Sequence, residues 1–255
     1  MEAVQRRYEL MDISVIIPAR DERYFIGPGL RELFWQNFPS KYEVIVVDNG
    51  SGDGTGDFVR EEFPFVKVVE EPIRGTNRAR ERGRLEAQGS ILAFLDADTI
   101  PARHWLRNGL RYFDDPSVVA VTGSYNFYDS GFFLQFGARF VSEIAYPAAL
   151  WFTREIMGRG IMIGGNCFIR ASALRDIKGF NTDIERLGDD TDTAIRLSGV
   201  GRIVYRKDVF AMTSARTYYR DGVIKTLWGY TFHAARISAR SLRERKPIPH
   251  TSARS

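Results

Sequence analysis

Residues 42–63 read YEVIVVDNGSGDGTGDFVREEF. A β-branched run stops at Asp48, glycines at 50, 52, 54 and 56 follow, and an amphipathic stretch opens near Thr55. The pattern predicts a strand over 42–47, a tight turn and a helix. The glycine spacing is neither G-x-G-x-x-G nor G-x-x-x-x-G-K-S/T, so no dinucleotide or P-loop fingerprint is present. Asp53 and Thr55 are read as helix caps. Asp48, at the strand end, is read as a carboxylate able to accept from a nucleobase or ribose.

The same unit recurs on both sides. ISVIIPA (13–19) is a short strand closed by a proline, and GPGLRELFWQNF (27–38) has helical spacing. VKVVE (66–70) is a third strand, NRARERGRLEAQG (77–89) a helix ending at a glycine, SILAFLDAD a fourth strand, and PARHWLRNGLRYF the next helix. This alternation predicts an α/β sheet with largely parallel strands. Such sheets bind ligands beyond the carboxyl ends of their strands. Three features fall there: Pro18-Ala19-Arg20-Asp21-Glu22, Asp48-Asn49-Gly50-Ser51, and Asp96-Ala97-Asp98.

The second half is less regular. VVAVTGSYNFY (118–128) is a strand pattern, and residues 132–152 place Phe132, Phe136, Phe140 and Ile144 on one helical face. GIMIGGNCFIRASAL (160–174) reads as a strand running into a short helix. GDDTDTAIRLSGVG (188–201) is an acidic turn opening a helix, followed by the strand RIVYR. From Asp221 a basic amphipathic helix is expected, with Ile224, Leu227, Trp228 and Ala235 on one side and Lys225, Arg236, Arg240 and Arg243 on another. The chain therefore divides into an N-terminal extension (1–11), one α/β domain (12–220), and a basic helix with its tail (221–255).

The 255 residues carry a net charge of +4, which hides an asymmetry. Residues 201–255 hold twelve Lys/Arg against three Asp/Glu, about +9, and the first 200 residues carry about −5. A basic end on an acidic body favours an anionic surface. Nucleic acid is set aside, because neither a binding motif nor an aromatic stacking pattern accompanies the charge. The one cysteine, Cys167, excludes an internal disulfide and fits a reducing compartment. The start lacks the apolar core of a signal peptide, and the longest uncharged apolar run, Ile144 to Phe152, is far too short to span a bilayer. The expectation is a cytoplasmic protein, peripheral on the membrane if the basic helix engages lipid.

Three acidic groups carry the chemistry. Asp96 and Asp98 would repel across Ala97 unless a cation lies between them, and Mg²⁺ or Mn²⁺ suits two hard carboxylates plus phosphate oxygens. The plainer reading makes Asp98 or Thr99 a helix cap, with Pro101 inside the first turn. Asp192 is read as pairing with Arg196 one turn on. Adjacent Asp189 and Asp190 point different ways, so one can reach the cleft as a general base.

Five segments in order, SVIIPARDE, YEVIVVDNGSGDGT, RGTNRARERGRLEAQGSILAFLDADT, GGNCFIRASALRDIKGF and GDDTDTAIRL, resemble the family 2 inverting glycosyltransferases from about Ile13 to about Ser214. The resemblance implies a GT-A fold, a Rossmann-like mixed but mostly parallel sheet flanked by helices. It implies a nucleotide-sugar donor, a glycan or lipid-linked acceptor, and a divalent cation. By position, Pro18, Ala19, Arg20, Glu22 and Asp48 match the pocket for base and ribose, and Arg74 falls where a basic residue approaches the nucleotide. Asp96 and Asp98 match the D-x-D metal motif. Gly164, Gly165 and Asn166 match a segment lining donor sugar and acceptor. Asp190 matches the catalytic base, with Asp189 in place of the family's glutamate. The implied mechanism is one in-line displacement with inversion.

The sequence departs from many relatives at residues 212–219. They place a metal-binding histidine there, whereas this chain reads MTSARTYY, and Arg216 is the residue able to neutralise a diphosphate directly. Two other readings stand beside the leading one: a catalytically weak nucleotide- or membrane-binding relative, and a sugar-phosphate nucleotidyltransferase. The second lacks its usual G-x-G-x-R loop in PARDERYF.

Overall fold

The structure is a computed structural model that describes residues 13–157, 160–184 and 189–222. The expected extension 1–11 and nearly all of the basic helix and tail (221–255) lie outside the described residues. Five strands and three helices build the first half: β1 (Ile13–Ala19), α1 (Ile26–Phe34), β2 (Tyr42–Asp48), α2 (Thr55–Glu62), β3 (Lys67–Glu70), α3 (Thr76–Glu86), β4 (Ile91–Leu95) and β5 (Thr99–Pro101). The second half comprises α4 (Trp105–Leu110), a 3₁₀ turn (Arg111–Asp114), β6 (Val118–Phe127), α5 (Phe132–Phe140), a π-helical turn (Val141–Ala145), α6 (Tyr146–Met157), β7 (Asn166–Arg170), α7 (Ala171–Asp176), α8 (Asp189–Leu197), β8 (Arg202–Thr213) and α9 (Arg216–Asp221).

All eight strands form one sheet in the order β3-β2-β1-β4-β7-β6-β8-β5. β3, β2, β1 and β4 run parallel, as do β6 and β8. β7 is antiparallel to both β4 and β6, and β5 is antiparallel to β8. The continuous apolar runs of the sequence are strands covered on both faces. On one face Val15, Ile17, Val46 and Ala93 pack with Leu30, Leu33, Val59, Trp105 and Leu106 of α1, α2 and α4. On the other, Ile16, Ile45, Leu92 and Phe94 pack with Ala79, Leu174, Ala194 and Leu197 of α3, α7 and α8. Strand order turns back between β1 and β4, and such a switch point opens a crevice at the carboxyl ends of the strands.

Two local expectations are corrected. Residues 99–101 do not open a helix: they form the edge strand β5, with Pro101 opposite Ala211, and α4 begins only at Trp105. Proline is at home on an edge strand because no ladder hydrogen bond is required of its nitrogen there. The capping explanation for Asp98 and Thr99 therefore fails. Residues 132–152 are helical but not one regular helix, since the π-helical turn divides them. The face predicted from Phe132, Phe136, Phe140 and Ile144 is exposed, at 74%, 65%, 51% and 57% respectively.

Candidate functional site

The glycine-rich turn after β2 is a clasp. Neither Asp53 nor Thr55 is the helix cap: Gly54 takes that position, without a side-chain cap bond, and Asp53 Oδ1 instead accepts from the Thr55 N–H at 3.0 Å in the turn before it. The Thr55 hydroxyl oxygen in turn accepts the Glu22 N–H at 2.9 Å, Asp53 Oδ2 the Arg23 N–H at 3.1 Å, and the Ser51 hydroxyl oxygen the Asp21 N–H at 3.1 Å. Asp21, at φ 57°, closes the exchange by accepting the Gly52 N–H at 2.7 Å. The turn thereby fixes the loop leaving β1, which carries Arg20 and Glu22.

That loop walls a cleft of about 670 Å³ over the ends of β1 and β4. Pro18, Ala19, Arg20, Glu22, Arg74, Asp96 and Asp98 line it, as do Asn49, Gly75, Thr76 and Arg216. Asp48 does not. Its carboxylate accepts the Ser51 N–H at 3.0 Å and packs against Gly56, so it shapes the turn. Its neighbour Asn49 faces the cleft instead, held by Nδ2 donations to the carbonyls of Glu71 and Ile73, both at 2.8 Å. Asn166 is also placed elsewhere. It is fully buried, accepts from Trp105 Nε1 at 2.7 Å and donates to the Ser124 and Val209 carbonyls at 3.0 and 3.1 Å. With its polar atoms committed to the joints between strands, it has none to offer a sugar.

Gly164 and Gly165 lie behind Asp96, where the acids meet; neither they nor Asp189 and Asp190 are among the residues that line the cleft. A Cβ on Gly165 would land on the Asp96 carboxylate, and a Cβ on Gly164 on that of Asp190. The Gly164 N–H donates to Asp190 Oδ2 at 2.9 Å, and the Asp96 N–H to the Gly165 carbonyl at 3.0 Å. Two carboxylates from segments 94 positions apart in the chain thus rest on adjacent glycines because neither glycine has a side chain.

Arg80 joins them. Its side chain is only 5% exposed, and Nη1 donates to Asp189 Oδ2 at 2.8 Å and to Asp190 Oδ1 at 2.7 Å. Nη2 lies 3.8 Å from Asp96 Oδ1. Burial opposes a charge on Arg80, but Asp190, Asp189 and Asp96 hold its pKa above the ordinary arginine value. Burial raises the Asp190 carboxyl, the charge of Asp189 adds to that, and Arg80 opposes it. Partial desolvation at the back of the cleft raises the Asp96 carboxyl, against the pull of Arg80 and with a further push from Asp98. The sequence reading passed over Arg80. One signal was available: among the four arginines of α3, Arg80 falls on the helix's buried side with Asn77, Ala79 and Gly83. A charge on a buried face requires acids from elsewhere.

The donors suit a small hard cation. Asp96 points its half-exposed carboxylate into the cleft, and Asp98 lies on the same wall. Glu22 Oε2 is buried without a partner. Among the described residues no group of three His, Cys, Asp or Glu forms a metal cage. Asp96 and Asp98 are the residues that would hold a Mg²⁺ or Mn²⁺ ion, which would supply charge for a bound phosphate. Arg216 occupies the region where the family's histidine was expected. Its Nε donates to Asp98 Oδ2 at 3.0 Å and its Nη2 to Glu22 Oε1. Cys167 is buried, which raises its thiol pKa and leaves it inert.

The model for the family described as "Glycosyl transferase family 2" matches residues 14–178. The chain belongs to glycosyl transferase family 2. It is 30% identical over 212 residues to glycosyltransferase AglE of Haloferax volcanii, covering 81% of this chain and 68% of that one. It is 28% identical over 251 residues to the pre-mycofactocin glycosyltransferase of Mycobacterium tuberculosis, covering 93% of this chain but only half, 50%, of the relative. Among solved structures it resembles mannosyltransferase PcManGT of Pyrobaculum calidifontis, in complex with GDP-Man and Mn²⁺, at 28% identity and a TM-score of 0.68, covering 93% of this chain and 66% of that one. Membership makes the chain a glycosyltransferase by class, on the GT-A fold expected of it. No described helix is long and apolar enough to cross a membrane.

Proposed function

We propose that the chain moves a sugar from a nucleoside-diphosphate sugar to an acceptor hydroxyl or lipid phosphate, with inversion at the anomeric carbon, in glycan or cell-envelope synthesis. The observation that carries this is the glycine pair Gly164–Gly165. It sets the Asp96 carboxylate, which lines the cleft, next to the Asp190 carboxylate, which on this reading faces the acceptor. Pro18, Ala19, Arg20, Glu22, Asn49 and Arg74 line the cleft, which supports a base and ribose held by the first five and a diphosphate met by Arg74. The PcManGT complex with GDP-Man and Mn²⁺ supports the donor class and the cation.

Asp190 is the base. Each of its oxygens is engaged once, by Arg80 or by the Gly164 N–H, and a carboxylate oxygen keeps a further lone pair for an acceptor proton. Arg80 and the Gly164 N–H fix its orientation, so the proton moves to a carboxylate already aimed. The acceptor oxygen attacks the anomeric carbon as the nucleoside diphosphate departs on the opposite side. A divalent cation held by Asp96 and Asp98 supplies charge neutralisation for that leaving group when bound.

A lipid-linked acceptor fits best. Phe132, Phe133, Phe136 and Phe140 are more than half exposed on α5, a face suited to the lipid interface. The basic segment 221–255 would add attraction to an anionic leaflet. The test is diphosphate release from a panel of nucleotide sugars with Mn²⁺ and lipid-linked or glycan acceptors. Asp190→Asn is expected to lower kcat about 10³-fold while nucleotide affinity is retained. Undiminished turnover in that variant would remove Asp190 as the base.

A further inference from the structure

Arg216 holds the two acids of the cleft that the donor reading needs free. It opens α9, and its place is set from both sides. The preceding Ser214 hydroxyl and Ala215 N–H donate to Asp129, the latter at 2.7 Å. Two residues on, Tyr218 packs edge-on to Phe127 with ring centroids 5.2 Å apart. From that fixed start the guanidinium spans Asp98 Oδ2 and Glu22 Oε1 and sits 4.3 Å from the centre of the Phe25 ring. Asp98 Oδ1 accepts the Thr213 hydroxyl at 3.3 Å, so both Asp98 oxygens are engaged. Glu22 keeps one buried oxygen without a partner. The Arg216 side chain itself is one-third exposed and lines the cleft.

We propose that Arg216 is a resident cation. It occupies Asp98 while the cleft is empty and turns onto the diphosphate when nucleotide and divalent ion arrive together. Charge decides the order. A divalent ion arriving alone must break the Arg216–Asp98 contact and leave the guanidinium with Glu22 only. A diphosphate supplies a further anion, with oxygens that match the planar fork bidentately. The transfer frees Asp98 for the ion. Ion and nucleotide therefore strengthen each other's binding, and by linkage the factor is the same in both directions. Phe25 beneath the guanidinium gives a surface on which it can pivot without leaving the site. Arg216 is a positioning residue here, and the inference rests on the reading of the cleft as the donor site.

Free Mn²⁺, followed by its electron paramagnetic resonance signal, reports binding without any turnover. The full chain is titrated with Mn²⁺ alone and then with GDP or UDP present. In the wild type Mn²⁺ alone binds weakly, and nucleotide tightens it about ten-fold or more. Arg216→Gln releases Asp98, so Mn²⁺ alone binds about five-fold tighter than to the wild type, while the tightening by nucleotide shrinks to about two-fold. Arg216→Lys, which cannot span both acids, falls between the two and covers the case in which the glutamine variant does not fold. Mn²⁺ affinity without nucleotide that is unchanged or weaker in the folded variants, with nucleotide binding intact, overturns the proposal alone. Failure of the wild type to bind either nucleotide with Mn²⁺ overturns the donor-site reading and this inference with it.

Discussion

Arg80 and Arg216 each gather carboxylates from segments more than a hundred residues away, yet the Arg80 side chain is 5% exposed and that of Arg216 is 33%. Arg80 lies behind the cleft and holds Asp189 and Asp190, with Asp96 close by. Arg216 lies on the cleft wall and holds Glu22 and Asp98. The first guanidinium has no water to replace it, so its removal strands buried charge. The second can exchange its acids for a ligand or for solvent. The same residue type thus serves as a fixed strut in one place and as a movable contact in the other, and depth of burial makes the difference.

Stability separates the two most sharply. Arg80→Gln is expected to cost about 3–5 kcal/mol in urea unfolding, because Asp189 and Asp190 lose their buried counter-charge. Arg216→Gln is expected to cost less, about 1–2 kcal/mol, because that guanidinium is one-third exposed even though Glu22 and Asp98 are largely buried. Equal losses would dissolve the contrast.

The glycine pair sharpens it next. Gly164→Ala forces the Asp190 carboxylate aside and is expected to lower kcat about 10²-fold while nucleotide and Mn²⁺ still bind. Gly165→Ala displaces Asp96 instead, so Mn²⁺ affinity falls first. Titrating both variants with Mn²⁺ and then measuring turnover tests that division of labour.

The smallest effect is on pH. Burial and Asp189 raise the Asp190 carboxyl, and a base must be ionised to act. Activity therefore climbs with pH on an acid limb lying above the ordinary carboxylate range. Arg80 opposes that rise. Arg80→Lys, whose shorter side chain falls short of the Nη1 position that serves both carboxylates, is expected to move the limb upward by a fraction of a unit to about one unit. A limb that stays in place in the kcat/KM profile would reduce Arg80 to a structural role.

Much of the first half was legible because its signals are local. The runs at 13–19, 42–48 and 91–95 are apolar on both faces, and the acids at their ends stand where α/β sheets present ligands. The Asp192–Arg196 pair, 2.8 Å in the fold, follows from helical spacing alone. Other features were out of reach of local pattern. The family resemblance sets Asn166 beside the donor sugar, but the pairing of β7 between β4 and β6 buries it. Asp48 and Asn49 sit side by side in sequence, and only the packing of the turn decides which faces the cleft.

The sequence by itself determined the alternating strands and helices, the family, and the acids that carry the proposed chemistry. The strands and helices depend on periodicity and spacing within some twenty residues, and the family on the resemblance of five segments in order along the chain. The tertiary structure alone decided which charges meet. Arg80 reaches Asp189 across 109 positions, and Arg216 reaches Glu22 across 194. The physical reason is that a buried ion is tolerable only beside its counter-ion, and that neighbour is supplied by the fold, not by the adjacent residues of the chain.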